Sequence, residues 1–181
     1  MRTLGALVGA ALALTLVACG SDDAPGPGGP GQGDRNEADE TFVEVAAGST
    51  GTLRQIADLA DESAESDELR GLADEIVDEL TVVGDRLEEL ADEWDLPEVV
   101  SGSAGSLPAQ EQSEDGKRLQ ELEGAEFDAL WVNVVAESLA AVQGSADRVV
   151  ERGQDADLRE LATDLAQDCA DWIDELRSLG V

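Results

Sequence analysis

Histidine and tyrosine are absent from this chain, and its only methionine is Met1. Without histidine no conventional Ser-His-Asp or Cys-His arrangement can be built, and no other feature of the sequence points to an enzyme. Soft metals need thiolate, thioether or imidazole donors, and after Met1 only Cys19 and Cys169 supply one. Basic residues are scarce: 11 Lys and Arg face 42 Asp and Glu, a formal net charge of −31 at pH 7. Such a chain repels nucleic acid and anionic membrane surfaces, so neither is expected as a partner held by charge. Aromatic residues make up 3% of the chain, and Trp94, Trp131 and Trp172 are read as core anchors. No segment reads as a strand. The glycine-rich run GPGGPGQG lacks the strand–loop–helix setting and the lysine of a phosphate-binding loop.

What is present begins with MRTLGALVGAALALTLVACGSDD. One basic residue precedes an apolar run of about 16 residues, short of the ~20 needed to span a bilayer. The run ends in Leu16-Val17-Ala18-Cys19-Gly20. This resembles a bacterial lipoprotein signal and its lipobox, which implies cleavage after residue 18 and acylation of Cys19. Residues 1–18 are therefore expected to be a signal peptide. The protein is expected on the extracytoplasmic face of the cell membrane, held there by lipid on Cys19. With Cys19 acylated, Cys169 has no partner within the chain, so no disulfide is expected. Residues 19–38, rich in Gly, Pro and acid, read as a tether with an r.m.s. span near ~25 Å.

Residues 39–181 carry helical periodicity. A first helix is expected over about 40–64, although its centre, Gly48-Ser49-Thr50-Gly51-Thr52, is a run of poor helix formers. A second begins at Asp67 and places Leu69, Ala73, Ile76, Leu80, Val83, Leu87, Leu90 and Trp94 on one heptad-like seam. Leu96-Pro97 ends it. Residues 97–125 form a connection with a short helical piece around 117–122. A third helix over about 126–152 stripes Trp131, Val134, Val135, Ser138, Val142, Ser145 and Val149. Gly153 stops it, and a fourth starts near Asp155 with Leu158, Ala162, Leu165, Cys169, Trp172, Leu176 and Leu179.

The second half overlies the first without a gap when displaced by 89 positions. Asp39 falls on Asp128, Phe42 on Trp131, Ser49 on Ser138, Ala57-Asp58 on Ala146-Asp147, Leu69-Arg70 on Leu158-Arg159 and Leu87 on Leu176. The pattern predicts an internal duplication of two helical hairpins, repeat A over 39–96 and repeat B over 126–181. The fold class is then all-α, a ferritin-like four-helix bundle. Helices of ~25 residues are about 38 Å long, and the connection is long enough to run that length and leave helices two and three parallel.

Asp39..Phe42, the Trp94 segment and Phe127-Asp128..Trp131 in this arrangement resemble the domain-of-unknown-function 305 family over about residues 39–179. That resemblance implies a duplicated ferritin-like bundle of secreted proteins and lipoproteins, linked in some members to copper. It also implies a ligand set: a Met and two adjacent His on the first helix of each hairpin, and a Gln and a Glu three apart on the second. Here the Met positions hold Ala46 and Val135. The His positions hold Ser49 and Thr50, and Ser138 and Leu139. The Gln and Glu positions hold Leu80 and Val83, and Cys169 and Trp172. No metal and no cofactor is expected at these eight positions. Cys169 reads as a small buried hydrophobe, and the acid pairs Asp58/Glu62 and Asp147/Glu151 as solvated faces.

The expectation is a non-enzymatic structural or interaction module of the cell envelope, with an envelope protein as its possible partner. The alternative is a metal-binding envelope protein that uses carboxylates or Cys169.

Overall fold

The computed structural model describes residues 35–96 and 114–179. They form α1 Glu37–Ser63, α2 Asp67–Glu93, α3 Glu114–Leu119, α4 Ala125–Arg152 and α5 Ala156–Leu179, with no strand among the described residues. α1 packs on α2 and α4 on α5, α1 also lies along α4, and α2 along α5. This is the expected all-α bundle of two hairpins. The expected signal peptide, Cys19 and most of the tether lie outside the described residues.

Local chemistry sets the helix ends. α1 starts a few residues before the apolar pattern does, because Asn36 caps it. The Asn36 side chain accepts from the amides of Ala38 and Asp39 at 2.8 and 3.1 Å, while the Asp39 carboxylate accepts from the Asn36 amide at 2.8 Å. Arg35 and Asn36, assigned to the tether on composition, are thus tied to the bundle. Ser66 caps α2 by accepting from the Leu69 amide, and Asp155, its repeat counterpart, accepts from the Leu158 amide before α5. α2 ends in a Schellman turn: Asp95 takes φ 55°, its amide donates to the Asp92 carbonyl, and the Leu96 amide donates to that of Ala91. The short helix α3 lies at 114–119 instead of 117–122 and buries Leu119 completely.

Contacts at the helix ends give the topology. The Ser63 carbonyl, ending α1, accepts from the amide of Gly124, which opens α4, at 2.8 Å. At the other end the Asn36 side chain donates to the Arg152 carbonyl, which closes α4. α1 and α4 are therefore antiparallel. Arg35 donates to the Trp94 carbonyl and lies 5.2 Å over its ring, so α2 ends where α1 begins. The link from α2 to α4 must then cross from one end of the bundle to the other, leaving α2 and α4 parallel. Gly124 completes that crossing at φ 64° and ψ −147°, a conformation open only to glycine.

All eight residues of the α2 seam are buried, and the α5 stripe is buried from Leu158 to Leu176. Trp131 is fully buried and donates its indole N–H to the Ile56 carbonyl at 2.9 Å. Val45 and Ser145, expected on apolar stripes, are only half-buried. They face each other across the α1–α4 crossing, where the packing is open.

Two of the buried polar residues join the halves. Asp39 of repeat A accepts from the amides of Gln154 and Asp155, in the repeat B turn, at 2.9 and 3.3 Å. Asp128 of repeat B accepts from the amides of Glu65 and Ser66, in the repeat A turn, at 3.1 and 3.0 Å. Carboxylates and turns are equivalent under the 89-residue displacement. Gly153 leaves room for the first clasp, because a Cβ there would run into Asp39 Oδ1 and come within 2.7 Å of the Val149 carbonyl oxygen.

Removing either carboxylate takes two charge-assisted hydrogen bonds from part-buried amides, each worth about 1.5–3 kcal/mol at most. Asp39→Ala and Asp128→Ala should each lower the thermal midpoint by several degrees. Thermal melts followed by circular dichroism, with an exposed Asp58→Ala control that should leave the midpoint unchanged, check this.

Candidate functional site

The eight positions that the family resemblance singles out all lie in the core: Ser49 and Thr50 on α1, Leu80 and Val83 on α2, Ser138 and Leu139 on α4, and Cys169 and Trp172 on α5. Two of the three hydroxyls return their protons to their own helices. Thr50 Oγ1 donates to the Ala46 carbonyl at 2.8 Å, and Ser138 Oγ to that of Val134 at 2.7 Å. A Cβ added to Gly84 would lie 3.9 Å from Thr50 Oγ1, so α2 sits close to the small residues of α1. Among the described residues no buried side-chain nitrogen or oxygen lacks a partner, and no group of three or more His, Cys, Asp or Glu is arranged to hold a metal.

Cys169 is fully buried. Burial pushes its thiol up to about 12, with Asp168 and Asp147 adding to the effect. A thiol so protonated is neither a ready nucleophile nor a ready ligand at neutral pH.

An acidic groove of about 240 Å³ lies between α2 and α5, lined by Glu75, Glu79, Asp168, Asp171, Trp172 and Glu175. The Trp172 indole donates to Glu75 at 3.2 Å and holds that carboxylate at the wall. Partial burial raises the pKa of Asp168, and repulsion from Glu79, Asp164, Asp171 and Glu75 raises it further. Asp58, Glu62, Asp147 and Glu151 are exposed on the surface.

A second groove runs along the α1–α4 crossing. Its wider part, about 360 Å³, is lined by Glu37, Ala38, Thr41, Phe42, Val45, Ser145, Arg148, Val149 and Arg152. A narrower part of about 190 Å³ continues past Val45, Ala46, Ala141 and Val142 to Ser49. Arg148 and Arg152 form no side-chain ion pair within the described residues, unlike Arg35, Arg70, Arg86, Arg118 and Arg177. Sequence reading missed this groove. The available signal was the overlay, which sets Arg148 and Arg152 against Leu59 and Ser63 of repeat A.

No helix among the described residues is long and apolar enough to cross a membrane. Among solved structures, a DUF305 protein from Streptomyces coelicolor described as secreted superposes with a TM-score of 0.69 at 18% identity, covering 78% of this chain and 89% of that one. CopM in its Cu(II)-bound form superposes with a TM-score of 0.67 at 16% identity, covering 78% and 94%. At these identities the likeness is one of fold, and it bears out the expected resemblance at that level. No curated protein matches the chain. The model of a domain of unknown function, DUF4142, matches residues 24–179, and this chain belongs to that family.

Proposed function

We propose that the protein is a lipid-anchored, extracytoplasmic structural or interaction module without catalytic activity. Its bundle resembles that of a copper-bound protein but lacks a soft-metal donor set. One observation carries this reading: the eight buried positions hold three hydroxyls, of which Thr50 and Ser138 bond to their own helices, together with aliphatic groups, an indole and a thiol held protonated. These residues do not fit copper, which takes thiolate, thioether or imidazole. The lipobox-like LVACG supports the anchor.

The acidic α2–α5 groove favours a second reading, in which carboxylates take a hard divalent cation. Titrating the detergent-solubilised, metal-stripped protein with Cu(I), Cu(II), Zn²⁺ and Ca²⁺ separates the two. The module reading expects no stoichiometric heat and no change in thermal midpoint. Binding would add about RT ln(1 + [L]/Kd) to stability, and a Ca²⁺-specific rise would transfer the function to the acidic groove.

Replacing Cys19 tests the anchor separately. Cys19→Ser should abolish labelling by radioactive palmitate and shift the protein from the membrane to the soluble fraction. Unchanged labelling and retention would overturn it.

The repulsion at Asp168 has its own signature. Because its folded pKa is raised, its contribution to stability is complete below the ordinary aspartate pKa and is lost as pH rises through the raised value. Asp168→Asn should therefore raise the thermal midpoint at pH 7 and leave it unchanged below the ordinary aspartate range, as read from melts across that interval.

A further inference from the structure

The two ends of the α1–α4 crossing are built from equivalent positions and finished differently. At the Ser63/Gly124 end the crossing holds Phe127, Leu130, Trp131, Ile56 and Leu59. Phe127 and Trp131 are fully buried there, and the Trp131 indole spans the crossing to the Ile56 carbonyl. At the Asn36/Arg152 end the same positions hold Ala38, Thr41, Phe42, Ser145 and Arg148. Each replacement is smaller or carries its bulk outward to a charge, and the result is the groove. The fold does not require that opening, since its other half closes it.

The lining adds a chemical preference. Phe42, Val45, Val142 and Val149 give an apolar floor, and two guanidiniums without an ion pair among the described residues stand four residues apart on one helix face. In a chain of net charge −31 this is a local reversal of sign, opposed at the rim by Glu37. Relief of the helix dipole accounts for Arg152, in the last turn of α4, but not for Arg148, which lies before that turn. From Glu37 to Ser49 the groove follows about 18 Å of helix, the reach of a medium-length alkyl chain.

We propose that the α1–α4 groove binds a single-chain fatty-acid carboxylate. Its head lies on Arg148 and Arg152, and its tail runs over Phe42 and Val45 toward Ser49. Guanidiniums pair with carboxylates through paired N–H donors, and the floor removes the chain from water.

The test uses the full chain in phosphatidylcholine nanodiscs and a dodecanoate bearing a terminal diazirine. After irradiation, label is expected in peptides covering residues 37–49 and 141–152. Excess dodecanoate should compete for it and dodecanol should not. Two variants should each lower labelling at least tenfold. Arg148→Glu/Arg152→Glu reverses the head site, and Thr41→Leu/Phe42→Trp/Ser145→Ile imports the closed end. Circular dichroism confirms that both remain helical. Label spread evenly over the helices, equal competition by dodecanol, or folded variants that label like the parent protein would overturn the proposal.

Discussion

Two buried carboxylates hold this molecule in register. Asp39 and Asp128 each reach across to the turn of the opposite hairpin and accept from two backbone amides at the start of its second helix. A bare carboxylate would be costly to bury, but here peptide N–H groups at helix N-termini solvate it and the helix dipole favours its charge. From this pair follow the antiparallel seating of α1 on α4 and the length of the link between α2 and α4. The choice of glycine at position 153 follows as well.

Much of the architecture was legible in the sequence. The α2 seam, from Leu69 to Trp94, could be read residue by residue, because one helix with one buried face obeys a simple period. The duplication was legible because the two halves overlie without a gap, with Asp39 on Asp128, Ser49 on Ser138 and Leu69-Arg70 on Leu158-Arg159. The role of the clasps was not, although the identity of Asp39 and Asp128 was visible. Their partners lie 62 to 116 residues away along the chain, and no local pattern announces them. Val45 and Ser145 show the same limit from the other side. Each fits its helical stripe, yet both are half-exposed, because the gap they face depends on which side chains meet across two distant helices.

The helix centre Gly48-Ser49-Thr50-Gly51-Thr52 shows how tertiary packing overrides propensity. Its two threonine hydroxyls bond back to the preceding turn, Thr52 to the Gly48 carbonyl and Thr50 to that of Ala46, so they need no partner across the core. Small residues there admit α2 closely at Gly84, and Leu80 and Val83 fill the space beyond.

The clasps also bear on ancestry. Each hairpin contains both a carboxylate and a receiving turn, yet the two never bond within that hairpin. A lone hairpin would thus be complementary to a copy of itself, and two such chains would close as a symmetric pair whose strength depended on concentration. Fusing the copies replaces that dependence with a tether. It also frees each half from having to remain identical to its mate: one end of the shared seam keeps its indole lid, while the other is at liberty to stay open.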